Sequence, residues 1–160
     1  MRPLAAVRPG ILQVVQIRRV GDSDVASVMA AAELFDDAPL EDATRRFLSS
    51  PTHHLFLAED DSGAAIGFVS GVEVTHPDKG TEMFLYELAV ADAHRRRGVG
   101  RSLVEALWRL AQERGGYGMF VGIEPDNEAA RRTYLSAGAG AESPTAMLEW
   151  QAPSGDRHRL

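Results

Sequence analysis

The sequence predicts an α/β (α+β) domain in which a mixed central sheet carries helices on both faces. Three observations support this class: three consecutive β-type runs joined by short turns, a strongly amphipathic helical run directly after them, and a further strand–helix pair. The chain has 160 residues, of which 44% are hydrophobic, so it is long enough for one domain with a real core. We expect this domain at 13–151, between loose tails at 1–12 and 152–160.

The first part of the chain predicts one strand and two helices. The run "QVVQIRRV" (13–20) has β-type composition, and 22–35 places apolar residues at helical spacing behind a polar start. The turn "DDAP" (36–39) ends this helix. A shorter helix is predicted over 40–50, and Pro51 closes it.

Three strands follow, over 53–60, 64–76 and 81–92, separated by the turns "DSG" and "PDKG". Because these connections are short, we expect the three strands to be antiparallel neighbours. The remainder predicts a helix, a strand, a second helix and a last strand, over 99–114, 118–124, 127–138 and 145–150. The predicted order is therefore β-α-α-β-β-β-α-β-α-β.

The composition argues against several classes of function. A formal net charge of −6 would repel phosphates, so we expect no nucleic-acid partner and a cationic ligand instead. Without cysteine there is no disulfide, thiolate nucleophile or cysteine metal site, and His53 and His54 lack metal-ligand spacing, so we expect no metal. No apolar stretch approaches the ~20 residues of a membrane helix and no signal peptide is evident, so we expect no membrane association and a cytoplasmic location.

The stretch "ADAHRRRGVGRSLVEAL" (91–107) gathers positive charge between a strand and a helix in an otherwise acidic chain. A helix start offers unpaired backbone N–H groups and the positive end of the helix dipole, and glycines let the backbone approach a ligand. This arrangement suits a phosphate or pyrophosphate, with a solvated basic turn as the alternative. The candidate residues are Arg95, Arg96, Arg97, Gly98, Val99, Gly100, Arg101 and Ser102.

Two familiar phosphate-binding loops do not fit this stretch. A nucleoside-triphosphate loop needs a lysine after its glycines, and none follows here. A dinucleotide fingerprint needs a third glycine where Leu103 stands, and it belongs to a parallel βαβ unit.

The run "RRRGVG" (95–100) matches the R-x-x-G-x-G/A signature of the Gcn5-related N-acetyltransferases (the GNAT superfamily), between the fourth strand and the third helix. Downstream, "NEAARRTYLSAG" (127–138) resembles the family pattern N-x-x-A-x-x-x-Y-x-x-x-G. The resemblance covers 14–150 and implies the GNAT fold, a mixed central sheet of six to seven strands flanked by about four helices. One departure is that few residues after Gly138 precede the predicted tail, which is scant room for two long terminal strands.

Within the superfamily, "FLYELAVADAHRRRGVGRSLVEAL" and the early "MAAAELFDDA" resemble the aminoglycoside 3-N-acetyltransferases of the gentamicin-resistance type. The resemblance implies direct transfer of an acetyl group from acetyl-CoA to a primary amine, without an acyl-enzyme. It implies that the turn at 95–102 holds the pyrophosphate and that backbone groups of Leu88, Ala89 and Val90 bind the coenzyme arm at a splay or bulge. The Val90 N–H is then a candidate donor to the oxyanion.

Glu87 is the most informative single residue, because it is a carboxylate inside the apolar run "MFLYELAV". Burial of a carboxylate is costly unless it is paired or used, and it raises the pKa. We therefore interpret Glu87 as the general base that takes a proton from the substrate ammonium; an edge-facing or hydrogen-bonded structural glutamate is the alternative.

Three residues of the second motif are candidates for the coenzyme site. Tyr134 is a candidate general acid for the departing thiolate, with amphipathic packing as the alternative. Asn127 is predicted either to cap its helix or to contact the coenzyme, and Ala130 is placed beside it by the family pattern.

A polycationic acceptor needs several carboxylates, and each candidate has solvated surface as its alternative. The candidate substrate-binding residues are Asp36, Asp37, Glu41, Glu87, Glu124, Asp126 and Glu149. Trp108 and Trp150 are interpreted as packing or dimer-contact residues.

The leading interpretation is an acetyl-CoA-dependent N-acetyltransferase that acts on a polyamine or aminoglycoside, at the 3-amino group of the latter. One alternative is acetylation of protein N-termini or lysines, which needs an extended peptide groove. A second is a non-catalytic acyl-CoA sensor, which would bind coenzyme without releasing thiol. The resemblance also implies a homodimer.

Overall fold

The computed structural model describes residues 15–150, so the tails expected at 1–12 and 152–160 lie outside the described residues. Five strands form one sheet: β1 Gln16–Val20, β2 His53–Glu59, β3 Ala65–His76, β4 Gly80–Val90 and β5 Met119–Phe120. Four α-helices accompany them: α1 Val25–Ala30, α2 Glu41–Ser49, α3 Val99–Glu113 and α4 Glu128–Ser136. Within this part of the chain no helix combines the length and the apolar character needed to cross a membrane.

The sheet has the order β1-β2-β3-β4-β5. The first four strands pair antiparallel, and β5 pairs with β4 in parallel after the α3 crossover. The mixed sheet and its antiparallel run are therefore confirmed. Within residues 15–150 the sheet has five strands, fewer than the six to seven that the resemblance implied.

The two faces of the sheet carry separate apolar layers, which confirms helices on both sides. Under α3, the buried side chains Leu103 and Leu107 pack against Val69 and Leu85. On the other face, residues of α1 and α2 pack over β1, β2 and β3 around Phe68. Gly71 permits the close approach of α3, because an added Cβ would lie 2.8 Å from a methyl carbon of Leu107.

The last predicted strand, 145–150, is wrong. This segment has no strand conformation, and the side chains of Met147 and Trp150 are 70% and 91% exposed. The strand predicted at 118–124 shrinks to the two residues of β5. A strand is stable only when its backbone is paired. Among the described residues, the segment 145–150 pairs with none of the five strands.

The continuous helix predicted at 22–35 is also wrong. The segment divides into a 3₁₀ turn, the short α1 and a second 3₁₀ turn at Ala32–Leu34. The Asp24 carboxylate accepts the Gly21 N–H at 2.9 Å, a local bond that competes with regular helix. At the other end Phe35 is extended, and its ring stacks on Phe68 with centroids 4.1 Å apart.

Candidate active site

A β-bulge in β4 decides which face of the sheet Glu87 occupies. Leu85 pairs with Gly71 and Glu87 pairs with Ser70, so Tyr86 is the extra residue. Side chains alternate between faces along a strand, and one inserted residue reverses the alternation. Without the bulge, Glu87 would share the α3 face with Leu85. With it, Glu87 lies on the opposite face.

The environment of Glu87 favours its protonated form. Burial raises the pKa of this half-buried carboxyl, and the nearby negative charge of Asp36 raises it further. No hydrogen bond or ion pair joins Glu87 to another described residue, so the structural alternative of a bonded glutamate is not what the structure shows. A carboxylate with a raised pKa and no fixed partner is suited to accept a proton.

Beyond Phe84, β4 and β5 part. The parallel ladder joins only Met83 to Met119 and Phe84 to Phe120, whereas β4 continues to Val90. Among the described residues, the β5 side of β4 from Leu85 onward therefore lacks a neighbouring strand. Such an edge can pair with an extended ligand as with an added strand.

The hydrogen-bond direction identifies which residues line this edge. The Ala91 N–H donates to the Ile66 carbonyl of the neighbouring chain segment at 2.9 Å. Because direction alternates along an antiparallel strand, the backbone of Ala89 also points towards β3, while Leu88 and Val90 point to the open edge. The backbone groups of Leu88 and Val90 therefore lie on the open edge and those of Ala89 face β3, while coenzyme contact by these residues stays a prediction.

The arginine–glycine turn follows β4 and has an unusual backbone. Arg96 has φ 58° and Gly98 has φ 83°, so two residues of the turn are left-handed. Alternating handedness points successive N–H groups into one concavity, a geometry that binds anions. The Arg95 guanidinium anchors the turn by donating to the Val90 carbonyl at 3.0 Å. Arg95, Arg96, Arg97 and Gly98 are all exposed.

Helix α3 begins directly behind this turn without a side-chain cap. The N-cap residue is Gly98, which has no side chain to accept a backbone N–H, and the first turn contains no acidic residue. The first hydrogen bond of the helix runs from the Ser102 N–H to the Gly98 carbonyl at 3.0 Å. The N–H groups ahead of Ser102, including those of Val99, Gly100 and Arg101, precede the intrahelical ladder and leave the positive helix end available to an anion.

The second motif lies beside this helix start. An added Cβ on Gly100 would lie 3.2 Å from the Thr133 methyl carbon of α4 and 3.6 Å from that of Val90. Helix α3, helix α4 and the end of β4 therefore meet at Gly100. Next to Thr133, Tyr134 is half-buried against the α3 core, and burial raises the pKa of its phenol.

At the start of α4 the structure shows the capping role of Asn127. Its side-chain oxygen accepts the Ala130 N–H at 3.0 Å, and Glu128 occupies the first turn. Coenzyme contact by Asn127 stays a prediction. Ala130 is half-buried in this first turn.

Among the candidate acids, Asp36 is the one whose negative charge raises the pKa of Glu87. Glu41 is instead held by Arg45 at 2.5 Å on the surface of α2. The other candidates are exposed residues of loops: Asp37, Glu124, Asp126 and Glu149.

The two histidines have protein partners. His54 is buried, its Nε2 lies 2.7 Å from a Glu73 carboxylate oxygen, and an Arg19 N–H donates to its Nδ1 at 2.9 Å. Because Nδ1 accepts, Nε2 carries the proton and donates to Glu73. His53 contacts Ser50 at 2.8 Å. Within residues 15–150 no group of three or more His, Cys, Asp or Glu is placed to hold a metal.

The two tryptophans differ. Trp108 packs against the α3 core, whereas the side chain of Trp150 is 91% exposed and does not pack within the chain, so dimer contact by Trp150 stays a prediction.

Two features of the Glu87 face were not found from the sequence. The first is a row of rings, Phe84, Tyr86 and Phe120, which we call the aromatic strip. The second is Ser70, which is 3% exposed and whose hydroxyl has no hydrogen-bond partner among the described residues. The apolar run could have suggested the strip, but nothing in it indicates that Tyr86 is displaced by a bulge.

Curated proteins with similar sequences include acetyltransferases. L-2,4-diaminobutyric acid acetyltransferase of Streptomyces coelicolor is 34% identical over 94 residues, which is 58% of this chain and 52% of that protein. The chain spans about half the length of the first curated relatives it matches.

Two solved structures superpose well; both are aminoglycoside acetyltransferases from uncultured soil metagenomic samples. The first, in complex with sisomicin, has a TM-score of 0.80 at 18% identity and covers 87% of this chain and 97% of that chain, a likeness that shows the fold alone. The second, HMB0005, has a TM-score of 0.74 at 26% identity and covers 88% of this chain and 99% of that chain.

The family model described as "Acetyltransferase (GNAT) family" matches residues 25–139. This range contains the arginine–glycine turn, the parted strands and the second motif, which the structure brings together. The chain therefore belongs to the GNAT family of acetyltransferases.

Proposed function

We propose that this acetyltransferase uses acetyl-CoA to acetylate a primary amine of a small polycation, at the 3-amino group of an aminoglycoside in the finer form of the hypothesis. The observation that carries it is the conjunction of an uncapped α3 start, an open β4 edge leading away from it, and Glu87 beside that edge. A homodimer and a cytoplasmic location belong to the same proposal.

The residues present fit the coenzyme, which would supply the acetyl group as a thioester. The N–H groups of the left-handed turn and of the first turn of α3 are complementary to the negative charge of a pyrophosphate. The surrounding basic side chains are those of Arg95, Arg96, Arg97 and Arg101. The backbone groups of Leu88 and Val90 at the β4 edge match the amides of an extended arm. In this proposal the Val90 N–H donates to the oxygen on which charge develops.

Glu87 acts in this proposal as the base. It takes one proton from the acceptor ammonium, the amine nitrogen forms a bond to the acetyl carbon, and the carbon–sulfur bond breaks. Tyr134, in the motif beside Gly100, gives its phenolic proton to the departing sulfur, and the second proton that the nitrogen loses as the amide forms returns to the Tyr134 oxygen. The raised pKa of Tyr134 keeps this proton in place at neutral pH.

The acceptor class is supported by charge and by the relatives. The chain has a formal net charge of −6, and Asp36 lies close enough to Glu87 to raise the pKa of Glu87. The similar structure that binds sisomicin and the relative named for diaminobutyric acid both act on, or bind, compounds with more than one amine. Asp37, Glu124, Asp126 and Glu149 are proposed as further contacts, while the Arg45 pair makes Glu41 the weakest candidate.

The experiment is an assay of coenzyme A release with a panel of aminoglycosides, polyamines, diamino acids and peptides. We expect turnover with amines that carry several charges, a loss of about 100-fold in kcat for Glu87→Gln, and about 10-fold for Tyr134→Phe. Glu87→Asp is the matched control, since it retains the carboxylate. Turnover of peptides alone would favour the protein acetyltransferase, and coenzyme binding without turnover of any amine would favour the sensor.

A further inference from the structure

The aromatic strip is an exposed apolar surface on the same sheet face as Glu87. The Tyr86 side chain is 64% exposed and that of Phe120 is 44% exposed. The rings of Phe84 and Phe120 stack with centroids 4.9 Å apart, and Tyr86 meets Phe84 edge-on at 5.6 Å. Large aromatic side chains that contact each other yet remain in solvent commonly mark a binding surface.

The fold explains why this surface is open. The apolar layer of α1 and α2 covers β1, β2 and β3, and its members include Phe68 of β3 but no residue of the strip. The β4 bulge then displaces Tyr86 onto the side of Phe84, immediately before Glu87. One backbone irregularity thus places an exposed ring and a candidate base next to each other.

The charge around the strip is negative. Glu87 and Asp36 interact at one end, and the Asp36 charge raises the pKa of Glu87. Glu82 lies on the Phe84 side of β4 at the other end, where it contacts His76 at 3.1 Å. Aromatic faces within an acidic surrounding are complementary to an organic cation, because the ring quadrupole attracts positive charge.

We propose that the aromatic strip is the subsite for a second, non-reacting ammonium group of the acceptor, held over the exposed rings of Tyr86 and Phe120 by cation–π attraction. This inference deepens the proposed function and rests on it for the identity of the reacting amine. In this proposal the enzyme prefers polycations because aromatic rings beside Glu87, as well as carboxylates, bind the second ammonium group.

The spacing of the strand sets the size of the ligand. Strand residues rise roughly 3.3 Å each, so the strip extends from next to Glu87 to roughly 10 Å away at Phe84. An acceptor therefore fits when its second cation lies within roughly 10 Å of the reacting nitrogen. Monoamines lack this anchor, and they should bind more weakly.

The competing occupant is a second copy of this chain. Self-association across the strip would bring the Glu82 and Glu87 carboxylates of two copies together, and like charges at an interface oppose docking. A cationic ligand relieves the same repulsion. The charge pattern therefore favours the ligand over the copy.

The first test compares variants that keep or remove the ring. We expect Tyr86→Leu and Phe120→Leu to raise KM for diamines and polyamines about 5- to 30-fold, with KM for a matched monoamine unchanged. The controls Tyr86→Phe and Phe120→Tyr retain a ring and should retain the wild-type KM. Equal loss with monoamines and diamines, or no loss with either, would overturn the proposal.

The second test does not depend on acetyl transfer. Hexamethonium carries two quaternary ammonium groups and no N–H, so it cannot be acetylated. We expect it to bind the wild-type chain in calorimetry, to compete with diamines, and to lose affinity in Tyr86→Leu but not in Tyr86→Phe. If Tyr86→Leu loses affinity for hexamethonium but the wild-type chain turns over no amine, the proposed function is wrong and the subsite is supported. If polyamines are turned over but hexamethonium does not bind, the subsite proposal is wrong. It is also wrong if Tyr86→Leu changes only the oligomeric state measured by sedimentation, because the strip would then contact a second copy of the chain.

Discussion

The two helices that follow β4 begin in opposite ways. At α4, Asn127 accepts the Ala130 N–H at 3.0 Å and Glu128 supplies a carboxylate to the first turn. At α3, Gly98 offers no side chain, no acid lies in the first turn, and the preceding turn is basic. The α4 start satisfies its own backbone and dipole, whereas the α3 start has neither a capping side chain nor an acidic residue of its own.

The same contrast separates two buried polar side chains of the sheet. His54 has both ring nitrogens bonded, to Arg19 and Glu73, while the Ser70 hydroxyl has no partner among the described residues. His54 lies away from the Glu87 face, and Ser70 is opposite Glu87 in the ladder. The buried polar group away from the candidate site is thus fully hydrogen-bonded, whereas the one beside Glu87 has no hydrogen-bond partner among the described residues.

Exchanging the charge of the two helix starts should give the largest effect. Arg101→Glu places a carboxylate in the first turn of α3, as in α4, and should weaken acetyl-CoA binding by at least about 100-fold through repulsion of the pyrophosphate. Arg101→Gln is the control for the lost ion pair with Glu105. In α4, Glu128→Gln should leave the affinity unchanged within about twofold; equal effects at both helices would break the comparison.

Removing the two buried polar groups should change stability in opposite directions. His54→Leu should lower the free energy of unfolding by about 2 kcal/mol, because it takes a partner from Glu73. Ser70→Ala should raise it by about 1 kcal/mol, because an unsatisfied hydroxyl is removed. Urea denaturation measures both. If Ser70→Ala is destabilising, the hydroxyl is bonded and the contrast fails.

The cap of α4 gives a smaller, purely structural effect. Asn127→Ala should cost about 1 kcal/mol of stability, which Asn127→Asp should largely restore. Coenzyme affinity measured by calorimetry should not change if the side chain only caps the helix. A loss of affinity in Asn127→Ala that exceeds the loss of stability would show coenzyme contact and sharpen the choice between the two roles.

The smallest effect concerns the charge of Glu87. Its pKa is raised above the ordinary 4.5, so the folded state favours the protonated form, and this stabilisation is lost as pH rises through the raised value. Glu87→Gln should therefore be more stable than the wild type at about pH 7 by less than about 1 kcal/mol, since the group is half-exposed, with no difference near about pH 4. The kcat/KM profile of the wild type should fall on the acid side at a pH above 4.5.

The sequence predicts the strongly patterned elements and misses the weakly patterned ones. The helix expected at 99–114 is α3 at Val99–Glu113, and the strand expected at 64–76 is β3 at Ala65–His76, because periodicity and turns both mark them. The segment 145–150 has the composition of a strand, but it pairs with no strand among the described residues. Strand pairing is a tertiary property that no local pattern carries.

The same limit applies to the candidate site. The glycines and arginines at 95–101 identify the turn, because an anion site needs those residue types. In "MFLYELAV" almost every residue is apolar, so the pattern cannot assign faces, and the bulge at Tyr86 is invisible in it. The position of Glu87 relative to Asp36 and the aromatic strip therefore had to come from the fold.

The central claim is that the α3 start binds the coenzyme. Its most direct test is a titration of the whole chain with acetyl-CoA, followed by the chemical shifts of the backbone amides. The account predicts saturable shifts concentrated at 96–102 and at Leu88 and Val90, with little change at 127–130. Saturable binding that leaves 96–102 unmoved, or no binding at all, would contradict it.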